Sequence, residues 1–104
     1  MSPDVVQEPT SLLSARIVVP QHVVYRSFPS ETVVLNLSTG KYHGLNATAG
    51  RMLEMLERAP SVRAAARALA AEYEQPAEVV EGDLCALCRA LLERGLVEID
   101  GAAE

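Results

Sequence analysis

Cys85 and Cys88 stand in the order Cys-Ala-Leu-Cys, and the chain holds two histidines, His22 and His43. Two thiols and two imidazoles are by count a complete tetrahedral zinc set. The thiol pair is also spaced like a redox CxxC, and His43 is of the type that serves as a general base. Each of these chemistries demands a local arrangement. Paired CxxC ligands sit on a turn or a helix start, whereas this pair falls inside a long segment of helical periodicity. The histidines fall on separate extended segments, without the close spacing of a zinc finger. No nucleophile or paired carboxylate stands near His43 in sequence. The expectation is therefore no catalytic residue, no metal and no cofactor. Cys85 and Cys88 are read as apolar packing or groove lining, and His43 as a solvated or ligand-facing strand residue.

The elements that position these residues are legible around Glu31 to Leu53. Val33, Val34, Leu35 and Leu37, with Asn36 between them, fit a half-buried strand. Ser38-Thr39-Gly40 supplies a turn in which Gly40 can take positive φ. Lys41 to Leu45 returns as a shorter strand, and Asn46 can cap a helix starting near Ala47. Val23 to Phe28 forms the preceding strand, so the three make an antiparallel meander. The short third strand is an expected sheet edge, where an extended peptide can add.

The remainder reads as helical. A first helix runs from about Ala47 to Arg58, with Ala49, Met52, Leu53 and Leu56 as its apolar stripe. Ser61 caps a second, in which Val62, Ala65, Ala66, Leu69, Ala70 and Tyr73 share a face, and six alanines fall between Ala64 and Ala71. Pro76 opens a third near its first position. There Val80, Leu84, Leu87 and Leu91 suffice for the core, leaving Cys85, Cys88 and Leu92 as an adjoining stripe. Gly95 is the expected C-terminal cap. Ile17 to Pro20 and Leu96 to Ile99 are short extended segments. The fold class is α+β of winged helix-turn-helix type, an N-terminal three-stranded antiparallel sheet followed by three helices. Residues 1–15 are expected to be a flexible tail, 16–100 the domain and 101–104 a flexible C-terminus.

With 104 residues, one domain of modest core is expected. Aromatics are only 4%, so that core must be aliphatic. Nine basic against fourteen acidic residues leave a net charge of −5, which argues against nucleic acid as a partner. The third helix makes the same point, setting Glu78, Glu81, Asp83 and Glu93 against Arg89 and Arg94, where a recognition helix needs basic or amide groups. Arg51, Arg58, Arg63 and Arg67 are read as a solvated helix face. No apolar run approaches the roughly 20 residues that span a bilayer, and the N-terminus has no signal pattern. The expected location is the cytoplasm, without a membrane partner.

The stretch YHGLNATAGRMLEML, followed by a capped alanine-rich helix, EYEQPAEVVEGDL and LLERGLVEI, resembles the PqqD-like domain, also called the RiPP precursor recognition element. The likeness covers about His22 to Ile99. Its most specific pieces are the G-K-Y-x-x-L-N step into the first helix and the closing L-x-x-R-G-L. The wording at Leu45 to Thr48 and the stand-alone length look most like the split leader-binding proteins of lasso-peptide biosynthesis. The resemblance implies non-catalytic binding of a precursor leader, added as an antiparallel strand to the third strand in a cleft against the third helix. It implies presentation to a separate leader protease, and possibly to a cyclase. The expected leader contacts are Lys41, Tyr42, His43 and Gly44 on the strand, and Leu84, Cys85, Cys88, Arg89 and Leu92 on the helix. Arg89 and Lys41 would pair with acidic leader residues. The alternatives are a PqqD-type chaperone for a radical-SAM enzyme and a winged-helix regulator.

Overall fold

The computed structural model describes residues 12–102. A helical turn over 12–14 leads into β1 (Ala15–Val18), β2 (Val23–Ser27), β3 (Glu31–Asn36), β4 (Tyr42–Asn46), α1 (Ala47–Arg58), α2 (Val62–Tyr73), α3 (Ala77–Glu93) and β5 (Glu98–Ala102). Strands β2, β3 and β4 form the expected antiparallel meander. A second sheet was not foreseen. Strands β1 and β5 pair antiparallel, with Ile17 opposite Ile99 and Val18 opposite Glu98. The two short extended segments at the chain's ends are thus partners, a pairing that local sequence cannot announce.

Local chemistry explains the joints. The Asn36 side chain accepts from the N–H groups of Ser38 and Thr39, and Gly40 closes the turn at φ 77°. Asn46 accepts from the Ala49 N–H at 2.8 Å, and Ser61 from the Ala64 N–H at 3.0 Å, each capping its helix as expected. Pro76 sits one position earlier than expected, at the N-cap of α3, with extended ψ. Beyond the Arg94 cap of α3, Gly95 takes φ 72° and the Leu96 N–H returns to the Leu91 carbonyl. Glu74 ends α2 in the left-handed region at φ 55°, a site that usually takes glycine and that nothing in the sequence signals.

Helix α1 lies across β3 and β4 and also touches β1 and α2. Its buried line is Gly50, Leu53 and Leu56, with Ala49 and Met52 only half-buried beside it. Gly50 makes the close approach possible, because a Cβ there would fall on the Thr32 side chain of β3. The core is aliphatic, built on Ile17, Val34, Leu53, Leu56, Val62, Leu69, Leu84, Leu91 and Leu96. Phe28, Tyr42 and Tyr73 all stand exposed, Tyr73 against the expectation that it joins the buried face of α2.

Leu12 and Ala15 are buried in that core, so packing begins before residue 16. Strand β5 continues through Ala102, past the expected end at 100. The rest of the expected N-terminal tail, and residues 103–104, lie outside the described residues. Among the described residues no helix is long and apolar enough to cross a membrane.

Candidate peptide-binding edge

Strand β4 is the last strand of its sheet, and among the described residues nothing pairs with its outer edge. The Asn36 N–H donates to the Lys41 carbonyl at 2.9 Å. In an antiparallel ladder, bonded and non-bonded residue pairs alternate. Val34–His43 and Thr32–Leu45 are therefore bonded pairs, and Leu35–Tyr42 and Val33–Gly44 are not. It follows that Tyr42 and Gly44 turn their N–H and C=O groups outward, to the free edge. His43 turns its own into the sheet. The sequence did not separate these roles, because the phase of the ladder depends on where the turn closes.

Side chains divide the other way. Tyr42 and Gly44 lie on the outer face of the sheet, with Val33 and Leu35 beside them. Tyr42 is 73% exposed. His43 is half-buried and Leu45 is buried, both on the face that meets α1. Lys41 is exposed just ahead of the strand. Farther from the edge, Val24, Phe28, Val33 and Leu35 line an apolar depression of about 390 Å3 on the sheet, with Arg26 at its side.

A cavity of about 270 Å3 opens where β4 passes into α1. It is lined by Thr48 and Met52 of α1, Leu69 and Tyr73 of α2, Gln75, and Val79, Val80 and Asp83 of α3. Its walls are mostly apolar, with Gln75 and Asp83 as polar points, the ordinary composition of a small recognition pocket.

This placement corrects the expected helix contacts. Leu84 and Cys88 are fully buried and Cys85 is 5% exposed; all three belong to the core and offer no surface to a peptide. The reason is angular. At about 100° per residue, Cys88 falls between Leu84 and Cys85 in projection, near the middle of a buried arc that runs from Val80 to Cys85 rather than beside it. Leu87, assigned to the core, is only half-buried. Asp83 and Val79 face the cavity, while Cys85 and Leu92 lie on roughly the opposite side of α3 from Asp83. Arg89 is exposed to solvent. No motif in the sequence joins Thr48, Met52, Tyr73, Val79 and Asp83, yet they line one cavity. Val79, an apolar residue outside the stripe of Val80, Leu84, Leu87 and Leu91, was the available sign, and it stands exposed.

Both cysteines are free thiols. Burial, with the neighbouring Cys85 second, pushes the Cys88 thiol up to about 12, and burial raises Cys85 as well. Neither is a thiolate near neutral pH. Among the described residues no three His, Cys, Asp or Glu side chains gather as a metal site.

Behind the edge a polar network ties the sheet to the helices. The Ser27 hydroxyl donates to Glu54 at 2.9 Å, and Arg51 bridges Glu54 at 3.1 Å and Glu72 at 2.7 Å. Arg51, expected on a solvated face, is thereby a clamp between α1 and α2. The Ser27 hydroxyl and Arg51 hold the Glu54 carboxyl below its usual range, and Arg51 does the same for Glu72. The Tyr25 hydroxyl bonds Glu57 at 2.5 Å, and burial together with that carboxylate raises the phenol.

Residues 31–97 match the family model described as coenzyme PQQ synthesis protein D. Among curated proteins none matches this chain. Two solved structures are similar over most of the chain. One is TbiB1 in complex with the TbiA(beta) leader peptide, 33% identical, at TM-score 0.70, covering 84% of this chain and 99% of that one. The other is a lasso peptide synthetase B1 complexed with the leader peptide, 27% identical, at TM-score 0.71, covering 81% and 99%.

Proposed function

The chain belongs to the PqqD family, and from that membership we propose that it binds the leader segment of a ribosomally made precursor peptide, without catalysis of its own. The observation that carries this reading is the unpaired edge of β4, with the N–H and C=O groups of Tyr42 and Gly44 turned outward. An extended peptide adds there as an antiparallel fourth strand. Backbone hydrogen bonds supply affinity that tolerates sequence, and pockets for alternate side chains supply selection. The cavity between α1, α2 and α3 opens at the end of this strand and takes one such side chain. The site thus comprises Lys41, Tyr42, His43 and Gly44 with Thr48, Met52, Tyr73, Val79 and Asp83. Arg89 and Leu92 fall outside it.

The two solved relatives, each held with a leader peptide, support this assignment and favour lasso-peptide maturation over service to a radical-SAM enzyme. The domain hands the bound precursor to a leader protease, and a cyclase follows. Two buried, unpaired thiols suit a reducing cytoplasm.

The test is a fluorescence-anisotropy titration of the labelled leader of the precursor encoded beside this chain. Micromolar or tighter binding is expected, and Tyr42→Pro abolishes it by removing an outward N–H. His43→Pro is the poorer probe, since its N–H holds β4 to β3. Absence of binding by the folded wild-type chain would overturn the reading.

A further inference from the structure

Gly44 is not needed by the fold. Its backbone is outside the left-handed region, and a Cβ added there would meet one atom within 4 Å, the Glu31 Oε1 at 3.7 Å, an ordinary contact with the end of a flexible side chain. A glycine in a strand costs stability and marks a place where something approaches closely. Here the open space lies on the outer face, above the outward-turned N–H and C=O of the same residue. The carboxylate of Glu31 leans over that space. It is exposed and has no hydrogen bond or ion pair among the described residues.

We propose that this chain selects a leader carrying lysine or arginine opposite Gly44, whose side chain crosses the glycine to reach the Glu31 carboxylate. The inference rests on strand addition at β4 and specifies what that edge reads. A residue opposite Gly44 in a bonded antiparallel pair has its Cα about 5.5 Å away and its side chain on the same face. A long cationic side chain spans the remaining distance, its stem lying over the glycine where any Cβ would obstruct it. Lys41, at the other end of the edge, carries the opposite charge. An antiparallel leader therefore meets Glu31 first and Lys41 about three residues later, and this polarity helps fix its direction and register.

The experiment is a binding cycle with the full chain and the labelled leader used above, at low and high salt. Glu31→Gln is expected to weaken binding about three- to fivefold at low ionic strength, with the loss fading in 0.5 M salt. Gly44→Val, which leaves the chain folded, gives a similar loss, and the two together lose little more than either. Replacing the leader's lysines and arginines by glutamine one at a time finds one position costly in the wild type and neutral in Glu31→Gln. Charge reversal through Glu31→Lys is rescued by a glutamate at that position. Wild-type binding that is lost in Tyr42→Pro but unchanged within twofold in Glu31→Gln would overturn this inference and leave strand addition standing. No binding by the wild-type chain would overturn both.

Discussion

Cys88 illustrates how far a single residue can mislead. Its CxxC partner and the count of two histidines point to metal or redox chemistry, yet the side chain is sealed in an aliphatic core. With its thiol pushed up to about 12, it is a small apolar group. Both thiols are therefore expected to resist an aromatic disulfide reagent at pH 8 in the folded chain and to react at once in denaturant. Rapid labelling of the native chain would mean that α3 opens there. Glu74 is a second residue that only the structure reveals. It holds left-handed backbone at a cost of about 1 kcal/mol or more. Glu74→Gly is expected to raise the urea midpoint, corresponding to a gain of about 0.5–1 kcal/mol after the entropy of glycine is subtracted.

Among the elements, those with local signals were legible. The turn at Gly40, the caps at Asn46 and Ser61, and the full span of α1 all follow from residue types a few positions apart. The buried arc of α3 did not follow, because an apolar stripe wider than one face has no marked centre until a neighbour packs on it. That ambiguity put Leu84, Cys85 and Cys88 among the candidate contacts, although the fold buries all three. The contact of α1 with β3 was also silent, since Gly50 looks like a helix defect until Thr32 is seen beneath it. Gly50→Ala ought to gain from helix propensity in isolation. Here it is expected to destabilise the fold by about 1–3 kcal/mol through overpacking. A higher melting temperature would refute that packing.

The clamp through Glu54 belongs to the same scale and has a sign. A carboxylate whose folded pKa is depressed adds stability that is present above the unfolded value, 4.5, and is lost as the pH falls through the folded one. Both partners are partly exposed to solvent, so the contribution is small, about 0.5 kcal/mol. Glu54→Gln is expected to flatten the acid limb of the stability curve as the pH falls below 4.5 and to leave α3 unperturbed.

At the scale of the whole molecule, the division of labour is between a closed body and an open edge. The β1–β5 pair joins the two ends of the described chain and was invisible in the sequence, because 79 intervening residues separate Val18 from Glu98. The open edge was visible, because a short returning strand with no later partner must end a sheet. What the structure adds is the phase of that edge, which makes Tyr42 and Gly44 the donors and places the cavity at its end.

Strand addition is tested most directly by residue-resolved amide exchange of the chain with and without the leader peptide. His43 and Leu45, bonded into β3, are expected to be protected in both states. Tyr42 and Gly44 are expected to exchange freely in the unliganded chain and to become protected when the leader binds. Leader binding that leaves the exchange of Tyr42 and Gly44 unchanged would contradict the account.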